Sequence, residues 1–227
     1  MIVTPGPLDP PAERLLGALE ARGHRVVRDP DSLAAGAEPV TLAVSTGPFV
    51  FNFVSLVAAL GARPFRVLVL SRLGTHPDAR TPALQRLWRL EEHVRGGGAP
   101  TLTLRFAPLV GPGSPLWNRL RTRPSLPRGG RQLLNPVAEA DAVETLERAL
   151  AGRAAWPGWF EVAGPEVWSL AELRELASAA GRGADAGAWE PPLDELAEHR
   201  LAEAGPWLEH FAMNATPIEA CVRERVA

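Results

Sequence analysis

Apolar positions along the chain fall into short unbroken runs that alternate with longer stretches of helical spacing. MIVTP predicts a first strand. In PPAERLLGALEARGH, Leu15, Leu16 and Leu19 share one helical face, Pro10 and Pro11 fit only a first turn, and Gly23 suits the C-terminal cap. HRVV predicts a strand, DPDSLAAG a turn with a short helix, and PVTLAVS a buried strand. PFVFNFVSLVAALGA is apolar nearly all round and too long for a strand, which predicts a core helix. FRVLVLS is a second buried strand. TPALQRLWRLEEHVRGGG then predicts a helix with Thr81 at the N-cap, Pro82 at the first helical position and three glycines at its end. TLTLRF is a further strand.

Strands that are apolar without alternation are buried on both faces, so this half predicts a parallel sheet covered by helices. The second half is less regular. LVGPGSPLWNRLRTRPSLPRGGRQLLNP is rich in Pro, Gly and Arg and predicts a long loop with one short helix. AEADAVETLERALAG predicts an amphipathic helix, GWFEVAG a short strand, and SLAELRELASAAG a helix opened by a capping box between Ser169 and Glu172. From Trp189 to Ala227 the pattern predicts two or three short helices. The expected organisation is an α/β core over residues 1–112, with a loop-rich, mostly helical part over 113–227 packed on it as one structural unit.

Composition narrows the function classes. A chain of 227 residues, 46% hydrophobic and 22% charged, is an ordinary globular one with ample core. A net charge of −2 gives no electrostatic ground for nucleic acid or an acidic membrane surface as partner. The lone Cys221 excludes an internal disulfide framework and a multi-cysteine zinc site. No run reaches the length of a membrane span, and the N-terminus lacks a signal peptide's basic and apolar regions, so a cytoplasmic protein is expected. Two absences carry more weight. All 24 of the Lys+Arg residues are arginine, and tyrosine is absent as well. A mechanism that needs an ε-amine or a phenol is closed to this chain.

Four segments, taken in order, carry a resemblance. RVLVLSRLG resembles a family strand that ends in serine, and RLEEHVRGGGAPTLTLRFAPLVGPG the helix, glycine turn, strand and loop that follow it. LLNPVAEADAVETLERAL resembles the segment in which an aspartate opens a helix under the substrate pocket, and FEVAGPEVWSLAELRELASAAG the C-terminal strand, turn and helix. Together, from Arg66 to Gly181, they resemble the atypical or extended short-chain dehydrogenase/reductase (SDR) superfamily, of the NmrA-like or epimerase-like kind. The resemblance implies a Rossmann-like, doubly wound parallel sheet that binds NAD(P) at the carboxyl ends of its strands. It implies hydride transfer by a tyrosine general acid/base with a lysine four residues later.

Each of these requirements meets a departure. The diphosphate-binding glycine turn falls on Gly6, Asp9 and Ala12, so only its first glycine survives. Asp9 puts a carboxylate where phosphate belongs, and two unit charges about 4 Å apart at an effective dielectric of about 20 repel by roughly 4 kcal/mol. The local role of Asp9 is a helix cap. Pro10 and Pro11 offer no N–H to an anion. Between HRVV and TLAV only RDPDSLAAGAEP stands where the family has a further helix and strand, so the sheet is expected to be truncated on its adenosine side. Arg28 and Asp29, at the place of the ribose contact, read as a polar turn. Leu84 and Trp88 occupy the positions of the tyrosine and lysine, and neither side chain titrates near neutral pH.

The remaining constellations are weak. Among His24, His76, His93, His199 and His210 there is no pair at helical zinc spacing, and Glu198-His199 and Glu209-His210 read as solvated positions on polar helices. The GPGS that begins at Gly111 reads as a loop, and Arg119, Arg121 and Arg123 as a basic cluster that solubilises a loop or meets an anion. Trp88 shares a stripe with Leu84 and Leu87 and reads as a plug in the empty cleft or as a partner anchor.

The expectation is thus a degenerate, catalytically inactive SDR-like protein that acts by binding, as subunit, scaffold or regulator. A protein partner or a homodimer through the Thr81–Val94 helix is expected, and no cofactor. The alternative is an NAD(P)(H)-binding sensor or atypical reductase. A second alternative is a non-redox enzyme that reuses a pocket with Ser71, Arg105 and Asp141, or Glu139 or a histidine.

Overall fold

The computed structural model describes residues 1–4, 6, 8–28, 38–45, 60, 63–111, 114–152, 155–156, 158–179 and 196–223. Its strands are β1 (Ile2–Val3), β2 (Val26–Val27), β3 (Val40–Val44), β4 (Phe65–Arg72), β5 (Thr101–Phe106), β6 (Leu109–Val110), β7 (Leu133–Leu134), β8 (Val137–Ala138), β9 (Gly158–Val162) and β10 (Trp168–Ser169). Its helices are α1 (Pro10–Ala21), α2 (Pro82–Gly96), α3 (Pro115–Arg121), α4 (Glu139–Leu150), α5 (Leu170–Ala179), α6 (Gly205–Phe211) and α7 (Ala220–Arg223). Six strands form a parallel sheet in the order β2-β1-β3-β4-β5-β9, which is Rossmann-like. Among the described residues β2 is an edge strand of that sheet.

The chain divides into two compact units: Met1–Arg105 with Leu150–Phe160, and Phe106–Ala149 with Glu161–Ala227. The division therefore falls before residue 112, and the stretch after α4 returns to the first unit. In that unit β1, β3, β5 and most of β4 are buried as expected, whereas β2 is half-buried. Every residue of β3 is buried, as are Val67 to Ser71 of β4. Val3, Val40, Leu42, Val44, Val67 and Val69 pack with Val94 of α2 into one apolar cluster. The β-branched majority suits strands, whose pleat spaces stiff side chains for packing. Helix α1 buries Ala12, Leu15, Leu16 and Leu19. Gly23, just past its end, takes a φ of 91°, a left-handed conformation open to glycine at no steric cost.

The second unit has its own core. Leu116, Trp117 and Leu120 of α3, Leu170, Leu173 and Ala177 of α5, and Val110, Leu134, Leu196 and Ile218 cluster together. Helix α3 is a short helix of the kind expected within the Pro-, Gly- and Arg-rich stretch. Its buried positions are too few to show a period, and Ser114 supplies the N-cap, its hydroxyl oxygen accepting from the Trp117 N–H at 3.0 Å. Trp207 of α6 is fully buried and donates from its indole N–H to the Ala163 carbonyl at 2.7 Å.

Other expectations are refined. Thr81 stands at the N-cap of α2, but its side chain makes no capping hydrogen bond. Glu198 and His199 do not lie on a helix, and His199 Nδ1 accepts from the Leu133 N–H at 3.0 Å, which makes it a structural contact. The core helix expected over residues 48–62, except Leu60, and the short helix after Arg28 lie outside the described residues, as does Trp189.

The capping box of α5 is formed in full. The Ser169 N–H donates to Glu172 Oε2 at 2.7 Å, and the Glu172 N–H donates to the Ser169 hydroxyl oxygen at 3.1 Å. Hydrogen bonding to Ser169, side chain first and backbone second, holds the exposed Glu172 carboxyl below its ordinary value of 4.5. Because the folded pKa is the lower one, this support is present above the ordinary Glu pKa and fades as pH falls through the folded value. An NMR titration is expected to give Glu172 an acid-shifted midpoint that Ser169→Ala moves back up; an unchanged midpoint contradicts the capping role.

Candidate functional site

In a parallel α/β sheet, ligands sit beyond the carboxyl ends of the strands, where the winding direction reverses. Here the chain runs from β1 to β2 on one side and continues through β3 and β4 on the other, so the reversal lies between β1 and β3. The groups at this place converge on Asp9, which is 7% exposed. Its backbone N–H donates to the hydroxyl oxygen of Ser45, the residue after β3, at 2.9 Å. Its Oδ1 accepts from the Ala12 N–H at 3.1 Å, and its Oδ2 lies 3.5 Å from Nη2 of Arg72, the last residue of β4.

The first turn of α1 leaves little for an anion. Pro10 and Pro11 have no N–H, the Ala12 N–H is bonded to the Asp9 side chain, and the Glu13 N–H is bonded to the Asp9 carbonyl. The donors that a helix N-terminus normally turns toward a phosphate are therefore absent or engaged. A Cβ on Gly6 would meet nothing within 4 Å, so the surviving glycine is not held there by close packing. These residues do not fit the diphosphate of a dinucleotide.

The second cluster joins α2 to β4 and β5. Leu84 and Leu87 are buried, and Glu91 follows on the same stripe with 0% exposure. Burial of a carboxylate is costly unless its oxygens are paired and hydrogen-bonded. Arg105 supplies the pair, with Nη2 at 2.6 Å from Oε2 and Nε at 3.1 and 3.2 Å from the two oxygens. The Ser71 hydroxyl adds a bond of 2.6 Å to Oε1 and lies 3.2 Å from Thr75 Oγ1. The Arg105 guanidinium is stacked 4.7 Å from the Trp159 ring and 5.7 Å from the Trp88 ring, and His76 lies 5.9 Å beyond Trp88.

Chemically, this cluster is closed. Glu91 accepts from Arg105 and Ser71, so it holds the serine proton toward a neutralised carboxylate rather than withdrawing it for catalysis. Leu84 carries no proton, and Trp88 presents a ring to Arg105. The sequence pairs neither Ser71 nor Arg105 with Glu91. The available signal is a charged residue on the apolar stripe of Leu84, Leu87 and Val94, which a buried partner must answer.

The other candidates have partners of their own. Asp141 belongs to the second unit, and its two oxygens accept from the Thr216 N–H and hydroxyl at 2.7 Å each. It ties α4 to the segment before α7. Arg28 is bound to α1, with Nε 2.6 Å from Glu13 and Nη1 2.9 Å from Glu20, and these bonds raise its pKa, Glu13 first. Asp29 lies outside the described residues. Gly111 takes a φ of 156°, packs against Glu139, and its carbonyl accepts from the N–H of Ser114, the N-cap of α3, at 3.0 Å. Among the described residues no cluster of His, Cys, Asp and Glu suits a metal ion, and no helix is long and apolar enough to cross a membrane.

No protein-family model matches the chain, and no curated protein does. Solved structures match over nearly its whole length. RMD from Pseudomonas aeruginosa, complexed with NADPH, aligns with a TM-score of 0.65 at 14% identity over 98% of this chain and 96% of that one. MoeE5 in complex with UDP-glucuronic acid and NAD aligns with a TM-score of 0.63 at 17% identity, over 97% and 95%. UDP-glucose 4-epimerase from Thermotoga maritima, with UDP-glucose, gives 0.60 at 13% identity, over 98% and 96%. At such identities the likeness establishes architecture alone. The chain has the fold of the NAD-dependent epimerases and dehydratases of the extended SDR superfamily.

Proposed function

We propose that this protein is a catalytically inactive SDR-like body that acts by binding, as a subunit, scaffold or regulator. The observation that supports this reading best is at the dyad. Leu84 is 2% exposed inside the core, Trp88 is stacked on Arg105, and no tyrosine or lysine exists anywhere in the chain to replace them. The closed first turn of α1 supports it from the cofactor side, and β2 as an edge strand fits a sheet shortened on its adenosine side. In this reading Trp88 fills part of the vacated cleft, and the small, mostly helical C-terminal part has no reacting sugar to hold.

The binding surface that this reading favours is the outer face of α2, where Pro82, Arg86, Arg89 and His93 are exposed along one stripe. A protein partner or a second copy is its occupant. Nucleic acid and membrane are not, given the chain's net charge of −2. The second reading, an NAD(P)(H)-binding sensor, draws on NAD and NADPH in the structures of similar fold.

The test is native mass spectrometry of the chain alone and after incubation in extract of its source cells, with an Arg86→Glu, Arg89→Glu variant alongside. A complex of fixed stoichiometry that the variant loses supports the binding role. Turnover of any nucleotide sugar by the purified chain, with or without added nicotinamide cofactor, overturns it.

A further inference from the structure

We infer that the Asp9 carboxylate is the residue that excludes phosphate from this fold, acting as a tethered internal anion at the switch point of the sheet. The inference rests on the reading of the chain as one that does not hold a dinucleotide, and goes beyond it by naming the cause.

Three independent losses could account for exclusion: the charge of Asp9, the missing N–H groups of Pro10 and Pro11, and the missing glycines. The geometry separates them. The cationic part of an anion site is still present, because the Arg72 guanidinium ends β4 and points at this place, 3.5 Å from Asp9 Oδ2. A helix N-terminal donor is present too, since the Ala12 N–H bonds to Asp9 Oδ1. Two groups that could greet a phosphate, the Ala12 N–H and the Arg72 guanidinium, are thus present but engaged, and one carboxylate engages both.

A carboxylate fixed in the chain competes at an effective concentration of millimolar or more, without the entropy cost of bringing in a ligand. It also repels what it does not displace. Like unit charges about 4 Å apart at an effective dielectric of about 20 weaken binding by about three decades, and a diphosphate carries more than one charge.

The test replaces the charge and keeps the cap. Serine is as good an N-cap as aspartate, and asparagine keeps the shape of the side chain, so Asp9→Ser and Asp9→Asn retain a satisfied first turn. Wild type and both variants are titrated calorimetrically with inorganic pyrophosphate at low salt, with circular dichroism to check folding. Either neutral variant is expected to bind pyrophosphate at least about a hundredfold tighter than wild type, with an affinity that falls as salt rises. Adding Arg72→Leu to Asp9→Ser is expected to remove the gain. Folded neutral variants that bind no better than wild type overturn the inference and assign the exclusion to Pro10 and Pro11. NADH binding by wild type would instead overturn the binding-protein reading, so the two failures are distinct.

Discussion

Replacing Gly164 with alanine is expected to keep the second unit from reaching its native packing. A Cβ on this residue would lie 2.1 Å from the Pro136 carbonyl oxygen and 3.3 Å from its carbon, a contact that backbone atoms cannot relieve by rotating a side chain. The Gly164 N–H also donates to the Asn135 carbonyl at 3.3 Å, so the two segments cannot part without losing that bond. The residues before it are fully buried, and the Ala163 carbonyl accepts the Trp207 indole bond. Overpacking of a core commonly costs 1–3 kcal/mol, and a backbone collision of this depth is expected at or beyond about 3 kcal/mol. Gly17→Ala in α1 is the control. A Cβ there meets nothing within 4 Å, and helix propensity alone should stabilise by up to about 1 kcal/mol. Equilibrium urea unfolding checks both, and a Gly164→Ala protein with the wild-type midpoint contradicts the close approach.

Glu91→Ala is expected to have the next largest effect, in the first unit. The substitution leaves the Arg105 guanidinium between the rings of Trp159 and Trp88 without its carboxylate, and the Ser71 hydroxyl without its acceptor. Breaking one side of a buried pair typically costs 3–5 kcal/mol, because the remaining charge is desolvated and uncompensated. The pair itself is worth much less than that. A Glu91→Leu, Arg105→Met protein, apolar at both positions and of similar volume, is expected to recover most of the loss and to fall within about 2 kcal/mol of wild type. Guanidinium chloride midpoints at constant m-value measure both proteins. A single variant that loses less than about 1 kcal/mol would show that Arg105 does not depend on Glu91.

The contrast between these two sites and the rest of the molecule marks what the sequence makes legible. Strands β1 to β5, helices α1 and α2, the cap at Asp9 and the Ser169–Glu172 box all depend on residues a few positions apart, where spacing and side-chain chemistry speak directly. Pairings across the chain do not. Glu91 meets Arg105 across a separation of 14 residues, and Asp141 meets Thr216 across 75. Each is an ordinary charged or polar residue until the fold brings its partner. The short helix expected in the Pro-rich and Gly-rich stretch has no definite place in the sequence for another reason, since 7 residues show one buried turn and no period. Of the pocket candidates Ser71, Arg105 and Asp141, the first two share Glu91 as a partner. What holds Ser71 and Arg105 together is a carboxylate that reads from the sequence only as one of two adjacent glutamates.

The departures at α1 and α2 nonetheless concern the two things the fold's enzymes need, a place for diphosphate and a titratable dyad. Titration of the wild-type protein with NADH and with NADPH, followed by quenching of its tryptophan fluorescence, reads the first of these directly. No saturable change is expected up to about 1 mM, the affinity of a contact worth no more than about 4 kcal/mol. Saturation in the micromolar range, reversed by excess NAD or NADP, would contradict the account and return the protein to the nucleotide-binding members of its fold.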